Sequence, residues 1–71
     1  MEIEERIKKD IMLFEKNCKE INNKKILDMA RRYYEDAKYY LGRKDYFTAF
    51  GCINYAHGLI DAVKLIKNKN L

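Results

Sequence analysis

The sequence predicts an all-α protein, a three-helix up-and-down antiparallel bundle over about residues 2–21, 23–41 and 45–68. Three observations predict it. Apolar residues recur at steps of three and four along three separate segments, which places them on one side of a helix. Proline is absent and glycine occurs only at positions 42, 51 and 58, fewer breaks than strand-and-turn architectures need. The two breaks present, Asn22-Asn23 and Gly42-Arg43-Lys44-Asp45, are short enough to make sequential helices antiparallel neighbours. With 71 residues the chain is one domain, 1–71, whose small core is marginal unless helices pack well or chains associate.

In the first segment Ile3, Ile7, Ile11, Phe14, Cys18 and Ile21 form the apolar stripe, and Glu2, Glu4 and Glu5 suit the positive end of the helix dipole. Met12 and Leu13 fall off the stripe and are expected at the surface. Asn22-Asn23 can end one helix and cap the next. In the second segment Ile26, Ala30, Tyr33, Ala37 and Leu41 form the stripe, widened by Leu27, Tyr34 and Tyr40. Its other side alternates Lys24, Asp28, Arg31, Glu35 and Lys38, a solvated face held by local ion pairs. Gly42 is predicted to take the C-terminal cap of this helix and Asp45 the N-cap of the third. The third helix is expected to bury Ala49, Cys52, Ile53, Ala56, Leu59, Ile60, Val63 and Ile66.

The net charge of +4 raises the question of nucleic acid, but its distribution weakens that idea. Residues 1–22 are nearly balanced, and Lys64, Lys67 and Lys69 complement a helix C-terminus without any partner. No apolar run approaches the ~20 residues of a membrane span, and the N-terminus is acidic and amphipathic rather than signal-like, so a cytoplasmic protein is expected, without membrane association. The two cysteines form no Cys-x-x-Cys motif. In an up-down-up bundle Cys18 and Cys52 sit about 10 Å apart along the axis at 1.5 Å per residue, too far for a disulfide, and both read as reduced core residues.

Asn54, His57, Asp61 and Lys64 share the flank of the third helix. As chemistry, Asp61 would orient His57 as an acid or base; as structure, the pair is an ordinary surface ion pair. Serine is absent and Thr48 is placed to cap or pack, so no nucleophile is supplied; no catalytic residue, cofactor or metal is expected. Gly51, Tyr55, Gly58 and Ala62 form another stripe at steps of four, three and four. Glycine inside a helix costs ~1 kcal/mol relative to alanine, so two of them call for a close neighbour. That neighbour is either a tyrosine of the second helix or a helix of a second copy. Tyr39 projects toward the charged side of the second helix and is the best single tyrosine for a partner contact.

The segment YYEDAKYYLGRKDYFTAFGCINYAHGLIDA, residues 33–62, resembles the signature of the archaeal domain-of-unknown-function family numbered 357. The resemblance implies a three-helix up-and-down bundle in the archaeal cytoplasm and brings no established activity. Asp36, Asp45, Tyr55, Gly58 and Asp61 belong to the family pattern without an assigned role. Ala37, Leu41, Asp45, Tyr46 and Ala49 also resemble a tetratricopeptide hairpin, but one hairpin is not an array. The same hairpin resembles HEPN domains, whose cleaving members pair an arginine with a histidine four to six residues later; no arginine precedes His57 at that distance.

The functional expectation is a non-enzymatic protein-interaction module. It would self-associate, a dimer first among the choices, through Met12, Leu13, Tyr39 or the Gly51–Gly58 stripe with Tyr55 and Ala62; another protein is a further partner to consider. The alternative is an RNA-associated, HEPN-like but non-cleaving domain using Arg31, Arg32, Lys38, Arg43 and Lys44. An enzyme centred on His57 and Asp61 is the third reading.

Overall fold

The computed structural model describes residues 2–69, with side chains described as far as Ile66. Three helices form: α1 (Glu2–Asn17), α2 (Lys24–Gly42) and α3 (Tyr46–Lys69), with a 3-10 turn at Cys18–Glu20 between the first two. The all-α three-helix bundle expected from the periodicity is the fold observed. Cross-links to α3 from α1 and from the 3-10 turn that follows it run in the same order along both segments. The Tyr46 hydroxyl donates to Glu4 Oε1 at 2.8 Å, His57 Nε2 meets the Asp10 carbonyl at 2.7 Å, and Lys64 Nζ lies 3.3 Å from Glu20 Oε2. The first and third helices are therefore parallel, with α2 running against both. The bundle measures 42 × 21 × 16 Å.

The core explains how the helices sit. Ala30 and Ala37 of α2 and Ala49 and Ala56 of α3 are fully buried, and side chains this small let two helices approach closely. The larger Ile7, Ile11 and Phe14 of α1 pack over that pair, against Ile53 and Ile60. Phe14 is the hub: its ring stacks on Tyr34 at 4.9 Å and meets His57 edge-on at 6.0 Å. No buried side-chain nitrogen or oxygen among the described residues lacks a hydrogen-bond partner. Cys18 and Cys52 are both free thiols, as the axial spacing requires. No described helix is long and apolar enough to cross a membrane.

The connections correct three sequence expectations. The first α-helix stops at Asn17 rather than 21, because the chain tightens into the 3-10 turn and becomes extended at Ile21. That bend carries Ile21 over the end of the bundle, where it is buried. Asn23 does cap α2, accepting from the Ile26 amide at 3.1 Å, and Asp45 caps α3 by accepting from Thr48 N at 3.2 Å. Gly42, however, is the last residue of α2 and not its left-handed cap. Lys44 takes that conformation, with φ of 63°. Its amide donates to Leu41 O at 3.0 Å and that of Asp45 to Tyr40 O at 2.9 Å, the paired closing bonds of a Schellman turn. The third correction is Ile66, which is 61% exposed instead of core. The Lys64–Glu20 pair marks the level where the first segment ends, so Ile66, two residues further on, lies past that end and is left exposed. The side chains of Lys67 and Lys69 lie outside the described residues.

Candidate interaction surface on the third helix

Between Asp45 and Lys64 the third helix carries one formally charged residue, Asp61. Inward it presents Ile53 and Ile60, both buried. Outward it presents Phe47 at 92% exposure, Tyr55 at 52%, Leu65 at 65% and Ile66 at 61%. An amphipathic surface helix keeps its outer side polar, and a helix apolar all round is normally covered on both sides. Here α1 and α2 cover one side, and the other is bare.

The outward side has a defined relief. Phe47, Gly51, Asn54, Gly58, Asp61 and Leu65 recur at steps of four and three, so they form one row along the helix. The middle of the row is low. A Cβ added at Gly51 or at Gly58 would meet no atom within 4 Å, so neither glycine receives a ring from α2. Tyr55 stands beside them, its ring backed by Tyr33 of α2 at 4.4 Å between centroids. Together Gly51, Asn54, Tyr55, Gly58 and Leu59 line a shallow groove of about 460 Å³. The packing of Tyr33 holds one wall of that groove in place. Ala62, on the same side, is exposed as well.

Of the polar candidates, His57 is engaged with another helix. His57 is half-buried and turned toward α1, where its Nε2 must carry the proton, because the Asp10 carbonyl can only accept. Asp61 is exposed, and no ion pair links it to His57. The two residues remain one turn apart on α3, but the hydrogen bond to Asp10 gives His57 a bridging role between helices. Asn54 stays on the outer row. Among the described residues no group of three His, Cys, Asp or Glu side chains is placed to hold a metal ion. Burial pushes the Cys52 thiol up, helped by the negative charges of Asp36 and Asp45, which opposes formation of a reactive thiolate.

The remaining exposed candidates are dispersed. Met12 is 67% exposed on the rim of a cleft of about 640 Å³ between α1 and α2, with Ile11, Leu41 and Tyr46 among its lining. The cleft's two carboxylates are engaged: Glu4 by Tyr46 and Lys8, and Glu15 by the Tyr34 hydroxyl. Those hydrogen bonds hold the Glu4 carboxyl below its usual range and push the Tyr34 and Tyr46 phenols up. Leu13 is a single exposed leucine. Tyr39 is exposed but not bare, since Tyr40 meets it edge-on and the Arg43 guanidinium lies 5.7 Å from its ring centroid. The basic residues of α2 lie among acids, but the ion pairs expected along its solvated face do not close, since none of the ion pairs among the described residues involves α2. Lys38 lies over the Tyr34 ring at 5.0 Å, while Arg31 and Arg32 share a surface with Asp28, Glu35 and Asp36.

Sequence reasoning missed Phe47 and Leu65, the two ends of the outer row. The signal was present in the repeat of four and three that joins them through the glycines, one column over from the Gly51, Tyr55, Gly58 and Ala62 stripe. The exposed Met29 has no explanation in the structure.

The fold and this surface define a class: a small three-helix bundle with one helix bare along its outer side. The chain matches, over residues 4–68, the family described as Protein of unknown function (DUF357), and it belongs to that family. Of the residues that carry its likeness, Asp45 caps α3, while Tyr55, Gly58 and Asp61 lie on the outer side. Comparison with the curated proteins and with the solved structures gave no match.

Proposed function

We propose that this protein is a non-enzymatic interaction module that self-associates, and that its working surface is the outer side of α3. One observation supports this above the others: a long helix that is apolar inward and outward, with a single charge, Asp61, between Asp45 and Lys64. Leaving Phe47, Tyr55 and Leu65 in water is unfavourable by roughly 25 cal/mol for each Å² of apolar surface, so covering them drives association. The free thiols of Cys18 and Cys52 suit a reducing compartment, which supports a cytoplasmic setting. Sedimentation equilibrium of the chain and of its Phe47→Lys variant tests the reading. The wild type should show a concentration-dependent mass above that of the monomer, and the variant should shift toward monomer while keeping its helical circular dichroism. A wild type that stays strictly monomeric up to about 1 mM, the weak end of measurable affinity, would defeat it.

A further inference from the structure

The outer row of α3 is complementary to itself when a second copy runs in the opposite direction. Phe47 and Leu65 are 18 residues apart, about five helical turns, so they stand on the same line at opposite ends of the row. Gly51 and Ala62 lie inside them, and Tyr55 and Gly58 inside those. We infer that two copies pair through antiparallel α3 helices about a two-fold axis level with Ala56 and His57. In that register Phe47 packs on Leu65 of the second copy, Gly51 faces its Ala62, and the Tyr55 ring lies over its Gly58. This rests on the self-association proposed above and specifies its geometry. The small residues do not carry it alone. The exposed large side chains at the ends and the Tyr33-backed ring in the middle are what the second copy covers.

Charge selects this direction over the parallel one. The two-fold sets the two Asp61 carboxylates about 14 Å apart along the helices, beyond a Debye length at physiological salt. It also brings each Asp61 within two residues of Asn54 on the same flank of the other helix, an amide donor for the one charge on this side. Parallel pairing would place Asp61 level with Asp61 and align the two helix dipoles unfavourably. The area suffices. At aromatic areas of ~150–250 Å² per side chain and somewhat less for aliphatic ones, Phe47, Tyr55, Leu65 and Ile66 expose roughly 500 Å² per copy. A pair would therefore cover about 1,000 Å², the threshold for a specific interface.

A charge-exchange experiment tests both the partner and the register. Phe47 and Leu65 are exposed, so Phe47→Lys and Leu65→Glu should each leave the fold intact by circular dichroism. In sedimentation equilibrium each single variant should weaken the dimer by tenfold or more, because it places an unpaired charge against an apolar side chain. The double variant should recover most of that loss, since each introduced lysine then meets the introduced glutamate of the other copy, and the recovery should fade with added salt. A wild-type dimer with no rescue in the double variant overturns the antiparallel register while leaving self-association standing. A wild type monomeric at every concentration overturns both.

Discussion

Replacing Gly51 and Gly58 by alanine separates the stability of the folded chain from that of the proposed assembly. Neither added Cβ would meet an atom within 4 Å, so the substitution brings no clash within one molecule. Both positions lie inside α3, where alanine is favoured over glycine by about 0.8–1.0 kcal/mol. Seven residues place them about 10 Å apart along the helix, far enough for the effects to add. The double variant should therefore gain about 2 kcal/mol as a monomer. For a domain of this size that raises Tm by roughly 8–16 °C. Thermal unfolding followed by circular dichroism, at a dilution where sedimentation shows only monomer, measures it. At high concentration the gain should shrink, because in the proposed pairing each new methyl would separate helices that approach through the glycines. A dilute double variant no more stable than the wild type would refute the reasoning, since it would mean that something in the same molecule already packs on these glycines.

Other outcomes follow from particular contacts. Lys44→Gly should stabilise the fold by about 1 kcal/mol, because a left-handed residue with a side chain costs ~1–2 kcal/mol and glycine returns part of that as lost chain entropy; a higher urea midpoint at unchanged slope would show it. His57→Ala removes the hydrogen bond to the Asp10 carbonyl and the edge contact with Phe14, and should destabilise by about 2 kcal/mol, with faster hydrogen exchange in α1. The Glu4 carboxyl is held below its ordinary value of 4.5 by the Tyr46 hydroxyl first and Lys8 second. Its contribution is fully present above that value and is lost as pH falls through the lowered one. Acid titration of stability should therefore show α1 loosening below about pH 4.5, and Tyr46→Phe should flatten that dependence.

The bundle was legible because its signals are local. Steps of three and four locate the faces that become core, and Asn23 and Asp45 reveal their caps by residue type alone. What escaped depends on neighbours or on register. Glycine is the usual left-handed cap, yet the closing bonds to Tyr40 and Leu41 place that conformation two residues later, on Lys44. Apolar periodicity runs on through Ile66 because it carries no information about where α1 ends. The partner of His57 is a backbone carbonyl on another helix, invisible to any pattern of side chains. Phe47 was the avoidable miss. It begins a regular row at steps of four and three through the same glycines, one column over from the Gly51, Tyr55, Gly58 and Ala62 stripe.

The two glycines also set the strength that the proposed association must have. They cost the monomer about 2 kcal/mol relative to alanine, in a chain that already uses alanine where α2 and α3 meet, at Ala30, Ala37, Ala49 and Ala56. No contact within the chain offsets that cost, since both positions face open space. A second copy can. Binding that favours the folded state stabilises it by about 2.7 kcal/mol once the partner stands at 100 times Kd. That exceeds the glycine penalty, and it does so only while the helices are close enough for Tyr55 to lie over Gly58. If the proposed dimer forms, wild-type Tm should climb with protein concentration, while that of the double alanine variant stays nearly flat, and the two curves should converge as the dimer fills.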